Sequence, residues 1–393
     1  MQSESSSNRS PLLARLLVAL CAFAIGFGCA FAFIKSGAAG KADAPATDAA
    51  QADAPEAAAS PEDTRAILAS WDTESEAYKQ LTAFVEDVCD EGSESYLPPE
   101  ERVATTDMDG TFICERGPIY IDQTFACWRI LDDPTYEAPA GLKADVESVI
   151  DEVRSGVVPE SVDLNAVLSM SYAGYTPEEL EDDVVRFATN NDVLGFSGMK
   201  YSESFYKPMV EVIEYLRAND FEVYVVSACE RYVSRALSVN FVGFDPSHVV
   251  GTDLEVGASG QGDEEGLDYT FDQKDELDIV GDRILETGKT NKVIAIQNEI
   301  GRRPVLAFGN SSGDFAMLNY ATANPDHKGL GFLVIADDVE REYGNEEKAA
   351  SMRDEVSKEG WVGISMRDDW KTIYGDGVER TELPQVEELA EAA

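Results

Sequence analysis

Two carboxylates one residue apart, Asp107 and Asp109, precede Gly110 and Thr111 in the stretch RVATTDMDGTFICE, Arg102 to Glu115. Ser227 follows the apolar run VYVV, Lys292 lies farther on, and Asn310 and Asp314 bracket the segment NSSGD. This inventory suits phosphoryl transfer. Asp107 would attack phosphorus, and Asp109 would protonate the leaving oxygen and then activate water. Ser227 and Lys292 would hold the phosphoryl oxygens, and Gly110, Thr111 and Ala228 are further candidate phosphate contacts. A hard divalent cation would bridge Asp107, the backbone carbonyl of Asp109 and the Asn310/Asp314 loop, and Mg²⁺ suits such oxygen donors best. Taken alone, Asp-Gly is also an ordinary β-turn dipeptide.

The elements that must position these groups are legible in the hydrophobic pattern. Val103 to Thr106 reads as a short strand delivering Asp107, Phe221 to Val226 as a buried strand ending at Ser227, and Pro304 to Phe308 as a strand ending at the Asn310 loop. Val249 to Gly251 and Gly331 to Ala336 are further strand-like runs, and Pro208 to Asn219, Lys292 to Ile300 and Phe315 to Tyr320 read as helices. Strands alternating with helices predict an α/β fold, a parallel sheet with helices on both faces, whose ligands bind at the carboxyl ends of the strands. Three of those ends carry the candidate groups.

Between Glu115 and the second strand the sequence has little strand character. Leu142 to Arg154 is an amphipathic helix, and Thr176-Pro-Glu-Glu179 opens another with a threonine N-cap, proline at its first position and glutamate three residues after the cap. A single crossover helix needs far fewer residues, so residues 116–199 are expected to form a helical cap, with the catalytic core in 61–115 and 200–380. Glu115, Tyr120 and Gln123 are candidates to face the substrate from it. Ahead of the core, Thr64 to Cys89 reads as one helical stretch, and the acidic segment from Gly251 through Gly281 as a surface hairpin. Lys289 competes with Lys292, which sits better at a helix start. Cys229 and Glu230 read as the start of a helix, and Trp361 and Trp370 as packing.

The net charge is −44, from 31 basic against 75 acidic residues. Such a surface repels nucleic acid and anionic lipid, so an anionic substrate must be drawn in by a local cation. The two histidines, His248 and His327, lie far apart without ligand-like spacing, which argues against a multi-histidine zinc site. Residues 1–35 contain an uncharged apolar run, Leu16 to Ile34, of a length that spans a bilayer, and they predict a signal anchor or signal peptide. Residues 36–60 read as a disordered Ala/Asp/Pro linker, and 381–393 as an acidic tail. The body is thus expected outside the cell, membrane-tethered through its N-terminal segment alone or secreted. Cys89, Cys114 and Cys127 are candidates for a disulfide or for buried thiols.

DMDGT, VVSA with Ser227, Lys292 and GNSSGD resemble, in order, the four motifs of the haloacid dehalogenase superfamily, and the spacing from Lys292 to AFGNSSGDFAML resembles its phosphoserine phosphatase-like branch. The resemblance spans about 103 to 320. It implies a Rossmannoid core with a helical cap between the first and second motifs, Mg²⁺, and an aspartyl-phosphate intermediate formed from a small phosphorylated substrate. An acid at the position of Asp109 marks phosphatases within the superfamily. One departure is Asn310, where the fourth motif often carries an acid. A phosphotransferase, or a catalytically idle binding protein on the same fold, are the alternatives.

Overall fold

The computed structural model describes residues 61–115, 119–139, 141–154, 162 and 164–382. The apolar run Leu16 to Ile34, the linker 36–60 and most of the acidic tail lie outside them. Among the described residues no helix is long and apolar enough to cross a membrane.

A seven-stranded sheet forms the core in the order β5-β4-β3-β1-β6-β7-β8. Its strands are β1 (Val103–Thr106), β3 (Glu222–Glu230), β4 (Val249–Ala258), β5 (Leu277–Leu285), β6 (Leu306–Gly309), β7 (Leu330–Ile335) and β8 (Val362–Ser365). A separate pair, β2 (Phe196–Ser197) and β9 (Glu379–Arg380), is antiparallel. β1 is central and parallel to both neighbours, pairing Thr106 with Val225 on one side and with Phe308 on the other. Every residue of β1 and β6 is buried, as a parallel sheet covered on both faces requires. The sheet is not wholly parallel, because β5 runs antiparallel to β4.

The helices are α1 (Pro61–Arg65), α2 (Glu76–Cys89), α3 (Ile121–Leu131), α4 (Leu142–Arg154), α5 (Leu164–Tyr172), α6 (Pro177–Asn190), α7 (Lys207–Ala218), α8 (Arg231–Val242), α9 (Thr290–Ala295), α10 (Phe315–Thr322) and α11 (Glu346–Glu359). α3 to α6 form the helical insertion between β1 and β3. Its core is aromatic: Phe125 stands 5.6 Å from Phe187 and 5.8 Å from Tyr172 between ring centres. α6 begins at the expected capping box, with Thr176 and Glu179 each accepting the other's backbone N–H. It packs along α8, the helix that follows Ser227.

Two sequence expectations need correction. Thr64 to Cys89 is not one helix: the chain leaves helical geometry after Arg65 so that Trp71 can bridge to Trp370, and a new helix starts at the Ser75 cap. The strand expected to stop at Ser227 continues to Glu230, and its register with β4 shifts between Val226 and Glu230. The acidic excursion is a hairpin as expected, β4–β5, with its strands spanning Val249–Ala258 and Leu277–Leu285. Cys89, Cys114, Cys127 and Cys229 are free thiols.

Candidate active site

The chain turns sharply where β1 ends. Asp107 extends the β1–β6 pairing by donating its N–H to the Phe308 carbonyl at 2.9 Å, and Gly110 then adopts φ 72°, a conformation open to glycine. The Thr111 hydroxyl, fully buried, donates to Asp107 Oδ2 at 3.3 Å. Opposite, Lys292 Nζ lies 2.6 Å from Asp107 Oδ1 and 2.6 Å from Asp314 Oδ1. Asp314 Oδ2 accepts the N–H groups of Asn310 and Ser311, each at 3.0 Å, which ties the loop after β6 to the start of α10. Ser227 Oγ accepts the Cys229 N–H at 3.1 Å, leaving the hydroxyl hydrogen to point elsewhere.

These groups wall a cavity of about 280 Å³. Asp107, Asp109, Ser227, Ala228, Lys292, Asn310 and Asp314 all line it. Gly110 and Thr111 do not: they shape the loop behind Asp107. Lys292, rather than Lys289, enters the site, since Lys289 is exposed and contributes its backbone N–H to the Gly313 carbonyl at 2.9 Å. The insertion supplies Tyr120, Asp122, Gln123 and Asn165, and the return of the β4–β5 hairpin supplies Glu286 and Gly288. Glu115, Tyr120 and Gln123, the candidates to face the substrate, line the cavity. Asp122, Asn165 and Glu286 were missed. For Asp122 the available signal was an acid in the first turn of a helix that starts soon after Glu115.

Burial dominates the electrostatics. It pushes the Asp107 carboxyl up to about 6, with the Asp314 charge adding to the rise and Lys292 opposing it. Asp109 is held well above the usual carboxylate range by burial first, then by the charges of Asp122, Asp107 and Glu115. Its Oδ1 is buried with no hydrogen-bond partner among the described residues. Burial pulls Lys292 down, but the two aspartates outweigh it and hold the ammonium charged. Glu115 is gripped by Lys348 at 2.9 and 3.1 Å.

The donor set fits a magnesium ion. Two carboxylates, a carboxamide and a backbone carbonyl are all hard oxygen donors, and one ammonium reaching both Asp107 and Asp314 marks a point of converging negative charge. Among the described residues no three acidic, histidine or cysteine side chains cluster as a closed metal site. Magnesium needs no such cage, because it keeps several waters and takes one or two carboxylates.

The family model of haloacid dehalogenase-like hydrolases matches residues 104–319, more than half of the chain. The protein belongs to this family. Among solved structures the chain is similar to a functionally unknown protein from Anaerococcus prevotii (15% identity, TM-score 0.46, covering 73% of this chain and 91% of that one). Cytosolic 5'-nucleotidase IIIB bound to cytidine is similar at 13% identity and TM-score 0.42, covering 76% and 88%. A phosphoserine phosphohydrolase-like protein from Francisella tularensis is similar at 12% identity and TM-score 0.33, covering 64% and 92%. No curated protein matches.

Proposed function

We propose that this haloacid dehalogenase-like hydrolase is a Mg²⁺-dependent phosphatase of small phosphomonoesters, working through a phosphoryl-aspartate on Asp107. The observation that carries this reading is the pairing of two neighbouring aspartates with opposite tasks. Lys292 holds Asp107 in place at 2.6 Å, while burial and the neighbouring carboxylates hold the Asp109 carboxyl well above the usual range, with an unpartnered oxygen in the same cavity. Environments that separate two carboxyls in this way assign acid and nucleophile.

In the first step an Asp107 oxygen bonds to phosphorus as the bond to the leaving alkoxide breaks, and Asp109 gives that alkoxide its proton. In the second, Asp109, now ionised, takes a proton from water as the water oxygen bonds to phosphorus and the bond to Asp107 breaks. Both steps concentrate negative charge on the phosphoryl oxygens, which the Ser227 hydroxyl and the Lys292 ammonium meet. Asp107, the Asp109 carbonyl, Asn310 and Asp314 would hold the magnesium ion, which supplies further charge neutralisation when bound. Residues 116–199 act as the cap whose α3 and α5 wall the cavity, so substrate selection falls to it. A cavity of about 280 Å³ suits a compact organic phosphate better than a phosphoprotein. The apolar run Leu16 to Ile34 and the linker after it support a body displayed or released outside the cell membrane.

The test is phosphate release from a panel of small phosphomonoesters, with Mg²⁺ and with chelator. Asp107→Asn removes turnover by more than about 10³-fold while leaving the fold intact. Near wild-type release from that variant sinks the phosphoryl-aspartate mechanism. Equal release with chelator removes the metal from it.

A further inference from the structure

We infer that Asn310 is neutral for an electrostatic reason: it gives up magnesium affinity in order to attract a phosphate dianion into a strongly acidic protein. This rests on the phosphatase reading and deepens it. Asn310 lines the cavity, is buried to 6% exposure, and closes over the loop carrying Asp107 so tightly that a β-carbon on Gly110 would stand 1.9 Å from its Nδ2. Its backbone N–H is held by Asp314. The side chain is therefore confined against the Asp107 loop, beside the proposed metal ligands, and its charge is felt there at short range.

Asp107 and Asp314 carry two negative charges at this point, and Lys292 offsets one of them. A bound Mg²⁺ brings the group to +1. Were position 310 an aspartate of the same shape, the group would be neutral. That difference matters because the surroundings repel an anion: the chain carries −44 overall, and Asp122, Glu115 and Glu286 face the same cavity. Lys348 neutralises Glu115, and Lys292 is the one cationic side chain among the described residues that line the cavity. With so little positive charge available, one unit decides whether the site is attractive to a dianion. The same unit works against the cation, whose affinity follows the charge count of its ligands.

The experiment uses the full chain and two probes, Mg²⁺ and inorganic phosphate, titrated by calorimetry into the wild type, Asn310→Asp and Asn310→Ala. Unchanged near-ultraviolet circular dichroism certifies the fold of each. Asn310→Asp is expected to bind Mg²⁺ about tenfold more tightly and, with Mg²⁺ saturating, to bind phosphate about tenfold more weakly, the phosphate difference shrinking as salt is raised. Asn310→Ala, which removes an oxygen without adding charge, is expected to weaken Mg²⁺ and to leave phosphate within about twofold once Mg²⁺ saturates. If Asn310→Asp leaves both affinities within twofold of wild type, or shifts them the same way as Asn310→Ala, the inference is overturned and the phosphatase reading stands. Absence of Mg²⁺ binding in all three folded proteins overturns both together.

Discussion

Gly174 donates its backbone N–H to the carbonyl of Ile279 at 2.8 Å, and the Ile279 N–H returns to the Tyr175 carbonyl at 2.8 Å. Two reciprocal bonds thus sew the turn between α5 and α6 to the outer edge of β5. Gly174 takes φ 84° there, a conformation that suits glycine. The insertion and the β4–β5 hairpin, which enter the fold from different parts of the sequence, wall the cavity as one piece. We expect the Gly174 and Ile279 amides to exchange with deuterium at a common rate, and both to slow together when Mg²⁺ and phosphate are added. Independent exchange at the two positions would show that the hairpin does not travel with the cap.

Lys292 and Lys289 make a direct comparison, because they sit three residues apart and only Lys292 lines the cavity. Lys292→Met leaves Asp107 and Asp314 buried with no shared counter-charge, a loss on the order of 3–5 kcal/mol. Turnover should fall by more than about 10³-fold. Lys289 is exposed at φ 53°, a backbone conformation that disfavours side chains. Lys289→Gly should keep full turnover and raise stability by about 1 kcal/mol through relief of that conformation. Steady-state kinetics and denaturant melts of the two variants decide the matter, and loss of activity in the Lys289 variant would move the phosphoryl contact to it.

Gly110 is fixed by two constraints at once, its φ of 72° and the Asn310 amide beside it. Gly110→Ala adds a backbone cost of roughly 1–2 kcal/mol and forces Asn310 and the loop of Asp314 away. The expected outcome is a modest fall in melting temperature with a much larger fall in kcat, of about 10²-fold or more. A variant that loses stability yet keeps kcat would mean that the position of Asn310 is immaterial to the chemistry.

The site proved more legible than its walls. Asp107, Ser227 and the Asn310 to Asp314 loop each follow a short apolar run, and in a parallel sheet those run ends converge whatever lies between them. Lys292 was separable from Lys289 only weakly, since the two stand three residues apart where α9 begins and the backbone turn that leaves Lys289 outside the helix is not written in residue types. Asp122 and Asn165 were hidden because their helices in the insertion meet the cavity through tertiary packing: Tyr172 donates to the Asp122 carbonyl at 3.2 Å and fixes the start of α3. Glu286 becomes a wall residue only after β5 has folded back along β4. The break ahead of α2 had the same character. Trp71 leaves the helical pattern to pack edge-on against Trp370, 6.1 Å between ring centres, and a contact so distant in sequence leaves no local period to read.

Glu342 gives stability a pH dependence that is independent of catalysis. It is 4% exposed, accepts the Tyr343 N–H at 2.7 Å and takes a hydrogen bond from the Tyr374 hydroxyl. Burial raises its carboxyl from 4.5 to about 7, against the lowering effect of those two hydrogen bonds, and the Glu115 and Asp338 charges add to the rise. Between those two values the native protein holds a proton that the unfolded chain has released, so stability is greatest below about pH 4.5 on this account and declines as the pH rises toward 7. The whole effect is on the order of 3 kcal/mol. Glu342→Gln keeps the shape and removes the titration. The expected result is a melting temperature above wild type at pH 8, with the advantage vanishing or reversing at pH 5. Parallel pH profiles for the two proteins would mean that Glu342 stays ionised in the fold, its charge satisfied by the tyrosine and backbone donors around it.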